Sequence, residues 1–237
     1  MAKDGLYLKW RPALAEAIAT FLFVFVGTGA VVVTGMLDAE LTISRMTAIA
    51  LANGLTITAL VFATAHLSGG HMNPAVTFSA IITQKIPVSQ GILYIASQLV
   101  GATLAALTLV AVITGVDIGD GAGTLGDHAL GANVSVVQGL IIEIILTFVL
   151  VFVVFSAAMD PRGAGIVAPL AIGLAVIVDQ FVGMPLTGAS MNPARTFGPA
   201  LIANSFADHW VYWVGPLVGG SLAALVHTHI FAGDKNG

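Results

Sequence analysis

Apolar positions along this chain neither alternate with period two nor fall into narrow helical stripes. They run on, with small residues scattered among them, over six stretches: about 12–36, 46–66, 88–114, 136–158, 165–184 and 209–231. A helix needs about 20 apolar residues to cross the hydrocarbon core of a bilayer. The pattern predicts six spanning helices.

Two shorter apolar stretches do not reach that length, and each begins at the same motif. The first copy is His71-Met72-Asn73-Pro74-Ala75-Val76 and the second is Ser190-Met191-Asn192-Pro193-Ala194-Arg195. Asn is a favoured N-cap, and Pro is pre-set for the first helical position, where its missing N–H is no loss. Asn73 and Asn192 are expected to cap short helices, from Pro74 to about Thr83 and from Pro193 to about Ile202. Such helices fit re-entrant, half-membrane elements, tolerated only where their ends line a wet cavity or lie buried in protein.

The chain also repeats. Glu16, Thr20-Phe21 and Val24-Phe25-Val26 match Glu143, Thr147-Phe148 and Val151-Phe152-Val153 at identical spacing. Gly54-Leu55 and Gly173-Leu174 each stand nineteen residues before a capping Asn. Thr77-Phe78 and Thr196-Phe197 follow the two motifs, and Leu99, Gly101 and Leu104 through Ala106 match Leu217, Gly219 and Leu222 through Ala224. Three spans per half is an odd number, so the copies lie in opposite orientations. The expected fold is an all-α membrane protein with an inverted 3+3 repeat, about 12–114 and 136–231, inside one domain covering 1–237. Its site is expected near the midplane, where the halves meet.

Composition agrees. Apolar residues make up 57% and charged residues 8%, against roughly 25% charged in a soluble domain, and the mean hydropathy is +0.99. The net charge of −4 speaks against nucleic acid as a partner. With no cysteine, disulfides, thiolate metal sites and Cys nucleophiles are excluded. No cleavable leader stands out, since the first apolar run is long and contains Glu16. Lys3, Lys9, Arg11, Lys85, Arg162 and Lys235 fall on one side of a six-span chain. Asp38, Glu40, Asp117, Asp120, Asp127 and Asp208 fall on the other, where Arg45 is the basic loop residue. That bias puts both termini in the cytoplasm.

Two Asn-Pro-Ala triplets in inverted halves, six spans and an Arg directly after the second triplet resemble the aquaporin (major intrinsic protein) family over about 12–231. Ser68-Gly69-Gly70-His71 before one triplet and Arg195-Thr196-Phe197-Gly198-Pro199 after the other strengthen the likeness. His209 through Pro216 looks most like plant tonoplast members and their microbial relatives. The resemblance implies a passive channel for water that excludes protons and ions, with ammonia, urea and hydrogen peroxide as further candidate solutes. It also implies a homotetramer in membrane lipid, in the cell membrane or the vacuolar membrane, with no cofactor, no metal and no catalytic residue.

Each helix start carries roughly half a positive charge, so two starts facing a narrow pore disfavour cations there. Pore-lining roles are implied for Asn73, Pro74, Ala75, Asn192, Pro193 and Ala194. The two Asn side chains cap through oxygen and are expected to turn their NH2 groups toward one passing water. Arg195 is a membrane-embedded cation, functional by default, and in the family forms one wall of the selectivity filter. Spacing from the triplets gives the other filter positions as Asn53, Gln180 and Ala189. Strict water channels usually place Phe and His at the first two, and tonoplast-like members place His and Ile; Asn with Gln departs from both. Either these amides face the pore, donating and accepting, or they rotate onto backbone. A one-residue slip would present Asp179 or Phe181 instead.

His128 reads either as an extension of the filter, as in relatives that pass ammonia, or as a solvated loop residue. His71 is implied to line the inner half of the pore, while His66 is a vestibule or packing residue. No third ligand joins this pair to make a zinc site. Glu16 and Glu143 read as a proton relay or as anchors for the re-entrant loops, and the resemblance favours anchors. Thr196, Ala200 and Tyr212-Trp213 follow the water-channel pattern rather than that of the glycerol facilitators. The alternative function is an ion- or proton-coupled secondary transporter using Glu16, Glu143 and Asp179; an intramembrane enzyme built on His66 and His71 is a third. With Ala189 at the family's mercury-sensitive position and no thiol in the chain, mercurials should leave flux unchanged. Inhibition that thiols reverse, read by stopped-flow swelling, would contradict this.

Overall fold

A computed structural model describes residues 2–114 and 125–232, with side chains from Trp10 onward. The charges of Lys3, Lys9, Asp117, Asp120 and Lys235, used above for orientation, lie outside the described side chains. The elements are α1 (Ala2–Leu37), α2 (Ile43–Ser68), α3 (Pro74–Ile82), α4 (Val88–Ile113), α5 (Val136–Val154), α6 (Ala168–Thr187), α7 (Pro193–Ala203) and α8 (Val211–Val226). Both α5 and α8 are prolonged by a π-helical turn, Phe155–Met159 and His227–Phe231. Six helical stretches among the described residues are long and apolar enough to cross a membrane: Trp10–Leu37, Ile43–Ser68, Val88–Ile113, Val136–Met159, Gly165–Thr187 and Val211–Phe231.

Their ends depart from the sequence expectation by a few residues, for identifiable reasons. Thr42 caps α2 by accepting from Arg45 N, which starts that helix at Ile43. α6 runs through Pro185 and stops only where Gly188 turns left-handed. The two short helices keep their expected starts, since Asn73 and Asn192 are their N-caps with Pro next in line.

Helix α1 packs on α4, α5 on α8, and α2 on α6. The half-length helices cross over: α3 packs on α8 of the other half, and α7 on α4. Small residues permit the close approaches. A Cβ at Gly101 would lie 2.3 Å from the Ala17 carbonyl oxygen, and at the corresponding Gly219 it would lie 2.1 Å from that of Ile144. Between the halves the two matched glycines meet each other. A Cβ at Gly54 would sit 2.5 Å from Gly173 O, and one at Gly173 would sit 2.4 Å from Gly54 O. Apolar residues spaced by four, such as Leu14, Ile18 and Leu22 or Leu170, Leu174 and Val178, face outward, as a hydrocarbon solvent allows.

Where α5 ends, Asp160 pairs with Arg162 at 2.6 Å and lies 3.4 Å from His227 Nε2. The Arg162 guanidinium holds the Asp160 carboxyl well below the usual range, and it also donates to Phe231 O at 2.7 Å. This cluster fastens the turn after α5 to the end of α8.

If bare backbone at the crossings is what lets the helices close, Gly101→Ala and Gly219→Ala should each cost about 1–3 kcal/mol through overpacking. Gly29, whose added Cβ would meet Leu109 at an ordinary 3.8 Å, is the control. Thermal unfolding in detergent should show a lower Tm for the first two variants and no loss for Gly29→Ala.

Candidate functional site

The segment between α2 and α3 and the segment between α6 and α7 have the same backbone path. Gly69, Gly70 and Met72 have φ of 93°, 64° and 51°, and Gly188, Ala189 and Met191 have 81°, 55° and 52°. A non-glycine residue in this region costs on the order of 1 kcal/mol or more. Two carboxylates hold the path in place, and both are fully buried. Glu16 Oε1 accepts from Ser68 Oγ at 2.6 Å and His71 N at 2.9 Å. Its Oε2 accepts from Met72 N at 2.6 Å and Gln98 Nε2 at 2.8 Å. Glu143 repeats the pattern, accepting from Thr187 Oγ1 at 2.6 Å, Ser190 N at 3.0 Å and Met191 N at 2.8 Å. Charge-assisted bonds of this kind are roughly twice as strong as neutral ones, and they satisfy amides that a bilayer would leave orphaned. Gln98 and Thr187 escaped the sequence reading, as did the bond from Ser68 to Glu16, although Ser68 and Thr187 stand at the same offset from the capping Asn.

The two helix starts confront each other. Asn73 Oδ1 accepts from Ala75 N at 2.8 Å, and Asn192 Oδ1 accepts from Ala194 N at 3.0 Å and Arg195 N at 3.2 Å. Each side-chain NH2 then crosses to the opposite segment. Asn73 Nδ2 donates to Met191 O at 2.8 Å, and Asn192 Nδ2 donates to Met72 O at 2.9 Å. An amide nitrogen carries two hydrogens, so each Asn keeps one for the cavity that both of them line.

That cavity has a volume of about 390 Å³. Ala158, Met159, Gly165 and Ile166 form one end of its wall, His66 and His71 follow, and Asn53, Gln180 and Arg195 line it beyond the two Asn residues. Glu16, Glu143, Asp179 and His128 do not line it. Gln180 rather than a neighbour faces the cavity: Asp179 is buried elsewhere in the wall, and Phe181 is 41% exposed. Both amides are turned onto backbone. Asn53 Nδ2 donates to Ile49 O at 2.9 Å, and Gln180 Nε2 donates to Ala189 O at 3.1 Å. Ala189 does not line the cavity: its carbonyl holds Gln180, and its own side chain packs toward Gly183. Neither amide oxygen has a hydrogen-bond partner among the described residues. Arg195 is 4% exposed and donates from Nη1 to Gly126 O at 3.0 Å.

The 125–135 loop that supplies Gly126 also delivers His128. Its Nδ1 lies 2.8 Å from Thr196 Oγ1, and its ring lies 5.6 Å from that of Tyr212. Thr77, the matched residue of the first half, holds His71 Nδ1 in the same way at 3.0 Å.

A family model described as Major intrinsic protein matches residues 6–227. Aquaporin TIP4-4 of Zea mays is 49% identical over 224 residues, which span 93% of this chain and 86% of that protein. Aquaporin TIP2-1 of Arabidopsis thaliana is 43% identical over 229 residues, spanning 95% and 89%. Among solved structures, the X-ray structure of the aquaglyceroporin from Plasmodium falciparum superposes with a TM-score of 0.85 at 22% identity. That match covers 94% of this chain and 96% of the other and shows a shared fold.

Burial pushes the His128 imidazole well below its usual range, and the Arg195 guanidinium and His209 add to the effect. The folded chain therefore holds a neutral ring at Thr196. The unfolded chain takes up this proton near the ordinary value of about 6.5. Stability carried by the neutral ring is present above that value and drains away as pH falls below it. The Tm in detergent should decline as pH falls below about 6.5, and His128→Gln should flatten the slope. An unchanged slope in the variant would place the titrating group elsewhere.

Proposed function

The chain belongs to the major intrinsic protein family, and we propose that it is a passive membrane channel that conducts water and excludes protons and ions. The reciprocal pair of bonds between Asn73, Asn192 and the Met191 and Met72 carbonyls carries this reading. Two helix N-termini aim at one point, so positive potential accumulates there. The remaining N–H of each Asn donates to the oxygen of a single passing water. That water must direct both of its hydrogens away from the midpoint, and the hydrogen-bond chain that would relay a proton is broken. Arg195 adds a second barrier to cations. A coupled transporter would need a carboxyl at the cavity, whereas the oxygens of Glu16 and Glu143 are committed to the loops.

Asn53, Gln180 and Arg195 form the selectivity filter in this proposal, with the Ala189 carbonyl holding Gln180, His71 lining the inner half and His128 extending the filter behind Arg195. Neither Asn nor Gln has the bulk of Phe, and Gln180 leaves an acceptor oxygen. On that ground the channel also passes ammonia, urea and hydrogen peroxide. The halves 12–114 and 136–231 are inverted copies within one domain, both termini are cytoplasmic, and the chain works as a homotetramer in the vacuolar or cell membrane. The TIP aquaporins to which it is similar support the vacuolar setting.

Proteoliposome swelling in an osmotic step, with proton flux recorded in parallel, tests the channel. Fast swelling without a proton leak is expected; slow, saturable, gradient-coupled flux would overturn it. Asn53→Phe combined with Gln180→His should narrow the filter and cut urea and ammonia permeability by roughly tenfold more than that of water. Equal losses for all solutes would show that these positions are not the filter.

A further inference from the structure

Gly27 on α1 stands directly behind Asn53. A Cβ built there would lie 2.3 Å from Asn53 Oδ1 and 3.1 Å from its Cγ. No side chain fits in that gap, so the Asn53 amide packs flat on bare α1 backbone. Its nitrogen end is tied to the carbonyl of Ile49, one turn earlier on its own helix. Asn53 is consequently only 2% exposed even though it borders the cavity. Gln180 is folded back in a comparable way onto Ala189, so neither side chain reaches across toward the other.

We propose that Gly27 is a specificity-determining positioning residue: it supplies the recess that keeps the Asn53 amide against the wall, leaving the constriction wide enough for small uncharged amides of the urea type. The proposal rests on Asn53 being a filter position. The chemistry suits such a solute. A planar amide offers N–H donors to the unpartnered Gln180 oxygen and a carbonyl to the Arg195 guanidinium, while the Asn53 oxygen stays turned into the recess at Gly27. A methyl group at position 27 would expel the Asn53 amide from its recess. The α1 backbone and the Ile49 turn occupy the other directions, so it would swing into the lumen.

The test is the urea-to-water permeability ratio of proteoliposomes carrying wild type, Gly27→Ala, Asn53→Ala, the double variant and Asn53→Phe. Gly27→Ala should lower the ratio by roughly tenfold, the scale on which a pocket discriminates one methyl group. Adding Gly27→Ala to Asn53→Ala should change nothing further. A Gly27→Ala ratio equal to wild type, or one lowered equally without the Asn53 side chain, overturns the proposal. If Asn53→Phe also leaves the ratio untouched, the filter assignment itself fails; if it lowers the ratio while Gly27→Ala does not, only the role of Gly27 falls. Should Gly27→Ala not fold, recovery of folded protein in the double variant supports the contact. Should neither fold, Asn53→Gln decides, because its extra methylene outgrows the recess. A lowered ratio then upholds the proposal, and a wild-type ratio refutes it.

Discussion

Two carboxylates hidden from solvent underlie everything else in this molecule. Non-helical backbone at the depth of a bilayer leaves N–H groups that nothing in hydrocarbon can satisfy, at several kcal/mol each. A lone ionised carboxylate there is just as unfavourable, with an effective cost of several kcal/mol. Glu16 and Glu143 remove both penalties at once by accepting from His71 and Met72, and from Ser190 and Met191. The left-handed turns at Met72 and Met191 survive on that support, and those turns present the carbonyls that the opposing Asn side chains reach. Without the carboxylates neither short helix would be aimed at the other.

Much of this was legible in the sequence because the relevant signals are local. Span lengths follow from runs of apolar residues, and Asn followed by Pro marks a helix start wherever it occurs. Register in the fifth span was open to a one-residue slip toward Asp179 or Phe181, and of these three residues Gln180 is the one that borders the cavity. What could not be read depends on neighbours distant along the chain. Whether Asn53 crosses the lumen or lies against the wall is decided by the missing side chain of Gly27, which in the sequence is one small residue among many. The meeting of His128 with Thr196 spans 68 positions and had no signature beyond the residue types. The π-helical turns that close α5 and α8 have no local composition to announce them.

The near-symmetry of the halves fails in an informative place. Thr77 holds His71 from its own loop together with Gln98, whereas Thr196 holds Ser190 and, from a remote loop, His128. By the repeat spacing the counterpart of Gln98 is Pro216, which has no donor, so Glu143 lacks the fourth bond that Glu16 enjoys. The counterpart of Arg195 is Val76. The backbone scaffold is thus duplicated while the polar partners are recruited separately, and the two ends of one cavity acquire different chemistry.

The long-range bonds also impose an order on biosynthesis. The Glu16 bonds to His71 and Met72 join residues 55 and 56 positions apart, so they become available once the ribosome has released the first half. The bonds that unite the centre join residues 118 and 120 positions apart. Until the later residues emerge, the nascent first half must keep the end of α3 hydrated or sheltered within the insertion machinery. The middle of the conduit therefore cannot close until most of the chain has emerged, with only α7 and α8 still to follow.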